Sequence, residues 1–154
     1  MGHLRRLRSA GQLGLLALLL GGCGEEPASI AREYSDFVGV WESGVLGESD
    51  SYRFLQITAS GYMTHAHWRR QGNNTRCVVV NSIPVKTLSP SLIHGSAFWV
   101  INVELVVDVP PDEDGGVLRM TVEGEDMVRT DDRDEGVDFN WDCADGGLAQ
   151  TPLI

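Results

Sequence analysis

The chain is short of positive charge, of cysteine and of long apolar runs, and each shortage narrows what it can be. Lys86 is the single lysine among 154 residues, and 12 lysines and arginines face 22 acids, a net charge of −10. A surface this acidic repels nucleic acid and anionic lipid headgroups, so neither is expected as a partner. No G-x-S-x-G elbow, H-E-x-x-H pair or phosphate-binding loop occurs. The usual spacings for acyl transfer, zinc hydrolysis and nucleotide chemistry are therefore missing, and the expectation is a protein that is not an enzyme and carries no cofactor. No apolar stretch reaches the ~20 residues that span a bilayer as a helix. Neither an internal repeat nor a linker between two domains is visible.

What is present begins at the N-terminus. Arg5, Arg6 and Arg8 precede an apolar stretch from Leu13 to Leu20, broken by Gly14, and no acid occurs before Glu25. A basic start, a short apolar middle and the small-residue exit at Gly21-Gly22 are the three parts of a secretory signal. The exit, Leu20-Gly21-Gly22-Cys23, resembles the lipobox of bacterial lipoproteins. That resemblance implies removal of residues 1–22, acylation of Cys23 (palmitate included), and a membrane as the first partner. Several acyl chains on one residue anchor stably where a single chain is marginal. Gly24 stands where an Asp would resemble an inner-membrane retention signal, so the expected location is the outer membrane, facing the periplasm. The outer leaflet of the inner membrane is the alternative.

From Cys23 onward 132 residues remain, enough for one core. They keep all 22 acids and nine of the bases, a charge of −13, and fifteen of the acids lie between Glu104 and Asp145. With Cys23 acylated, Cys77 and Cys143 are left over, and an oxidising periplasm favours their pairing. Closing that loop would stabilise the fold by roughly 4 kcal/mol through chain entropy. The expected layout is a tether and short helix over 23–36, one β domain over 37–145, and a loose tail over 146–154.

Ile30, Tyr34 and Phe37 share one face of a short helix predicted within Pro27–Asp36. Everything after it leans to period two. Phe98–Val109 reads as a strand with Trp99, Ile101, Val103, Leu105, Val107 and Val109 on a buried face, and Val137, Phe139, Trp141 and Cys143 alternate equally well. Ser51–Thr58 and Tyr62–Arg69 flank a turn at Gly61. Arg76–Val80 follows a Gly-Asn turn, and Val117–Glu123 and Met127–Thr130 flank Gly124. The fold class is all-β: a small antiparallel up-and-down barrel with a short N-terminal helix, or alternatively a β-sandwich. Gly39-Val40-Trp41, after the helix and at the start of the first strand, resembles the G-x-W signature of lipocalins. The resemblance implies a barrel whose end is plugged by Trp41, with Arg129 from a late strand stacked on it as a cation–π pair.

Candidate sites are few. His65 and His67 lie two apart on one strand and so leave the same face, which makes them weak candidates for a metal. Arg69 on that face opposes a cation, and a solvated strand face is the better reading. The acidic runs from Asp112 and from Asp131 lack the spacing of a calcium loop and read as charged turns. Arg53, Arg69, Arg70, Arg76 and Lys86 cluster in mid-chain, either bridging the acidic strands or making the molecule dipolar. Two functions fit. One is a non-enzymatic binding module holding a small apolar or amphipathic ligand, lined by Trp68, Phe98, Trp99 and Trp141. The other is an accessory or inhibitor lipoprotein, without a cavity, that binds another envelope protein through its charged surface.

Overall fold

The computed structural model describes residues 29–45, 48–72 and 74–131. Cys23, Trp141, Cys143 and the segments 1–22 and 146–154 lie outside the described residues. Eight antiparallel strands follow one another around a closed ring: β1 (Gly39–Ser43), β2 (Ser51–Ile57), β3 (Tyr62–Gln71), β4 (Asn74–Ser89), β5 (Leu92–Ala97), β6 (Ile101–Asp114), β7 (Val117–Val122) and β8 (Glu125–Asp131). The ring closes where Val40, Trp41 and Glu42 of β1 pair with Asp131, Arg129 and Val128 of β8. The expected up-and-down barrel is thus the fold. One continuous ring stands where a sandwich would have two facing sheets.

Turn chemistry explains the meander. Gly115-Gly116 (φ 62° and 85°) and Glu123-Gly124 (φ 50° and 76°) are two-residue connections. Positive φ at both positions gives a turn whose twist matches that of the strands it joins. The acidic run Asp112–Asp114 ends β6 and passes directly into the first of these turns.

Three elements depart from the sequence reading. The helix is a 3-10 segment, Arg32–Phe37, kinked at Tyr34 (φ −112°, ψ 17°) and five residues later in its start than Pro27. Its apolar face is the expected one, with Phe37 buried and Ile30 and Tyr34 against the core. β4 runs on through Pro84 to Ser89, far past Val80. Pro84 is tolerated because pairing with β3 ends at Tyr62↔Pro84 and pairing with β5 begins at Val85↔Gly95. β6 starts at Ile101, and Phe98 and Trp99 belong to the turn before it. The period-two face is right in its middle, where Leu105 and Val107 are buried, but Ile101 and Val109 are 37% and 49% exposed. Residues 101–106 pair with β5 and residues from Val107 on pair with β7, so the two ends of the strand run past the filled part of the barrel.

The interior is packed solid. Trp41, Leu55, Ile57, Ile93, Val122 and Met127 are each fully buried within one cluster to which every strand contributes. Gly95 is part of the fit, since a Cβ there would collide with Met63 and Ile83. Burying a side chain of this size is worth about 1.5–3 kcal/mol, so this cluster is the main source of stability.

Candidate functional site at the open end of the barrel

Alternating strand directions divide the connections between two ends. The β2–β3, β4–β5 and β6–β7 turns lie at the end carrying the helix. The β1–β2, β3–β4, β5–β6 and β7–β8 connections lie at the other, open end.

The helix end is closed by apolar packing. The Ile30 amide donates to the Ala59 carbonyl at 3.0 Å, tying the chain before the helix to the β2–β3 turn. Trp41 is completely buried, and its Nε1 donates to the Phe37 carbonyl at 2.8 Å. Gly39, Trp41 and Arg129 stand together here. Arg129 faces Trp41 across the β1–β8 ladder, and its guanidinium lies against Gly39, where a Cβ would be 2.6 Å from Nε. Gly39 has φ 133°, so a side chain is excluded by backbone strain as well as by space. The cation–π contact implied between Arg129 and Trp41 is not formed. Among the described residues that contact joins Arg70 to the Trp68 ring, at 5.3 Å.

Charge gathers inside the open end. Arg53 has the same parity in β2 as Leu55 and Ile57, so it points inward and is 2% exposed. Its Nε donates to Glu125 Oε2 at 3.1 Å, and its Nη1 lies 2.8 Å from Glu123 Oε2 as an ion pair without hydrogen-bond geometry. Glu125, the first residue of β8, also accepts from Ser51 Oγ at 2.8 Å and Ser43 Oγ at 3.2 Å, and sits 3.2 Å from His67 Nε2. Burial would raise the Glu125 carboxyl, but the Ser51 hydroxyl and the Arg53 and His67 charges outweigh it and hold the group below its usual value.

His65 and His67 are not on a solvated face. They point into the barrel, with ring centroids 6.4 Å apart, and His65 is 5% exposed. The β2–β3 register sets them opposite Leu55 and Arg53, which carries both rings to the inner side. Neither ring nitrogen of His65 has a hydrogen-bond partner among the described residues. Burial first, and then the Arg53 charge, push its pKa down to about 3, so the ring is neutral. His67 is lowered by the same two causes while Glu125 pulls it back. The cation at this place is Arg53, and among the described residues no group of three ligating side chains is arranged to hold a metal ion. Arg53 therefore does bridge the acidic later strands from within.

The aromatic residues expected to line a cavity lie elsewhere. Trp68 points to the outside of β3, where it is buried with Val40, Tyr52, Phe54 and Ala66 in a second cluster. Its parity, shared with Ala66, is opposite to that of His65 and His67. Cys77 pairs in register with Trp68 and is disulfide-bonded, its partner lying outside the described residues, where the sequence reading set Cys143. Phe98 and Trp99 are 80% and 97% exposed, at the tip of the β5–β6 hairpin. Both have φ 51°, a region that bulky side chains rarely adopt.

Sequence reasoning missed Arg53 and Glu125 as inward groups. The signal was there in part: Arg53 alternates with Leu55 and Ile57, and Glu125 stands two before Met127. No protein-family model, curated protein or solved structure matches the chain.

Proposed function

We propose that this chain is a lipid-anchored envelope protein that acts through its outer surface, as an accessory module binding another envelope protein, with neither catalysis nor a ligand held inside the barrel. The observation that carries this reading is the filled interior: Trp41, Leu55, Ile57, Ile93 and Met127 occupy the space a guest molecule would need. A barrel of eight strands is wide enough either to be filled by side chains or to hold one small ligand, and the buried cluster favours the first. At the open end Glu125 is committed to its neighbours, accepting from Arg53, Ser43 and Ser51.

The anchor rests on the basic start, short apolar middle and Leu20-Gly21-Gly22-Cys23 exit. The partner surface rests on charge. The fifteen acids from Glu104 to Asp145 give the later part of the chain a strong negative charge, which speeds and orients docking to a basic partner.

Native mass spectrometry of the detergent-extracted protein tests the anchor and the filled barrel. The expected species begins at an acylated Cys23 and carries no second molecule. A small apolar molecule released on unfolding overturns the filled-barrel reading, and an unmodified Cys23 with its leader attached overturns the anchor.

A further inference from the structure

We infer that the tip of the β5–β6 hairpin, Phe98-Trp99-Val100, is a membrane-inserting element that seats the open end of the barrel in the surface of a lipid bilayer. This inference is independent of acylation at Cys23.

Four observations carry it. The three side chains are 80%, 97% and 72% exposed, and Ile101 beside them is 37% exposed, so the apolar surface is contiguous. The end of the hairpin also runs past the pairing of its neighbours. Pairing of β5 with β4 stops at Gly95 and pairing of β6 with β7 starts at Val107, so the rungs Ser96↔Asn102 and Ala97↔Ile101 are bonded within the hairpin alone. No charged residue occurs between His94 and Glu104, so nothing ionised is desolvated when the tip enters the headgroup region. Finally, Phe98 and Trp99 both hold φ 51° in a turn where glycine or asparagine would sit without strain. Strain of this kind persists where a site needs those side chains.

The composition favours a bilayer over a protein pocket. Tryptophan and phenylalanine partition to the membrane–water boundary, where an amphipathic ring meets both environments. A protein interface sets a polar and charged rim around its apolar centre, and this tip has no charge through Gly95–Val103. The net charge of −10 makes a zwitterionic surface the fitting one.

The test uses the full chain reconstituted with phosphatidylcholine vesicles whose acyl chains are brominated near the glycerol. Bromine quenches only the indoles it touches, and Trp41 and Trp68 are buried in the fold. The expected result is loss of most Trp99 emission, read as stronger quenching in the wild type than in Trp99→Phe, together with a shift of the Trp99 band to shorter wavelength. A second variant, Phe98→Asp, keeps the fluorophore and puts a charge on the tip. It is expected to abolish the Trp99 quenching while leaving the far-ultraviolet circular dichroism unchanged. Equal quenching in wild type and Trp99→Phe overturns the proposal. A chain without acyl groups that still shows Trp99 quenching upholds the proposal while refuting the anchor.

Discussion

The two ends of this barrel use the same kind of residue for opposite purposes. At the helix end Trp41 is completely buried and held by the Phe37 carbonyl, while at the open end Trp99 is 97% exposed at the tip of a hairpin whose last rungs pair only with each other. One end closes the core with apolar area and the hydrogen bonds of Ile30 to Ala59 and Trp41 to Phe37. The other sets an ion cluster around Arg53 and carries an aromatic tip that contributes nothing to the core. The contrast teaches that exposure here follows from where each ladder runs out, not from residue type.

Five variants break or sharpen that contrast. The largest effect belongs to Trp41→Ala, expected to lower the unfolding free energy by about 3–5 kcal/mol in urea titration, because it empties the fully buried plug. A loss below about 1 kcal/mol would mean that the helix end does not hold the barrel shut. Next comes Glu125→Ala, which leaves the 2%-exposed Arg53 with Glu123 alone. Uncompensated buried charge costs 3–5 kcal/mol, and partial exposure of the two glutamates moves the expected loss to about 3 kcal/mol. The double variant Arg53→Met with Glu125→Leu is expected to recover most of it in the same titration.

A smaller effect is tied to pH. His65 holds a pKa of about 3, lowered by burial and then by Arg53, so the folded protein stays unprotonated there while the unfolded chain takes up a proton below about 6.5. The unfolded state thus binds more protons across that window, and stability falls as pH drops from about 6.5 towards 3. Glu125 acts in the same direction: its lowered folded value gives stability above the unfolded carboxylate value, lost as pH falls through the folded one. His65→Leu is expected to reduce the drop between pH 7 and 5 by about 2 kcal/mol, read as a flatter melting temperature against pH. An unchanged slope would show that the ring is solvated in the folded state. The smallest effect is expected at the tip. Replacing Phe98 by Asn and Trp99 by Gly removes the positive-φ strain, so thermal unfolding should hold or rise by no more than about 1 kcal/mol. A marked loss would make the tip a structural part of the barrel.

Much of the fold was legible in the sequence because local chemistry agreed with the tertiary answer. Gly61, Gly115, Gly116 and Gly124 mark turns through the φ they permit, and the alternation of Tyr62–Arg69 and Val117–Glu123 predicts strands close to β3 and β7. The site was less legible. Period two told that His65 and His67 share a face but not which face, since Thr64, Ala66 and Trp68 opposite them are buried as well. A strand covered on both sides has no polar face by which to orient it. The inward aim of Arg53 escaped notice for the same reason, because Tyr52, Phe54, Leu55, Gln56 and Ile57 are all buried around it.

The sequence alone determined the alternation of most strands, the turns marked by Gly61, Gly115-Gly116 and Gly124, the acidity of the later half and the apolar character of Phe98-Trp99-Val100. These follow from side-chain chemistry within a few residues, where alternation and turn φ are local properties. Closure of the ring, the inward aim of Arg53, His65 and His67, and the exposure of Trp99 were decided only in three dimensions. Each depends on which strand lies beside which and in what register: β8 meeting β1 at Arg129↔Trp41, β2 setting Arg53 against His67, β5 pairing with β6 beyond the last rung of either neighbour. Register is a relation between segments far apart in the chain, and a shift of one residue exchanges the inside of a strand for its outside.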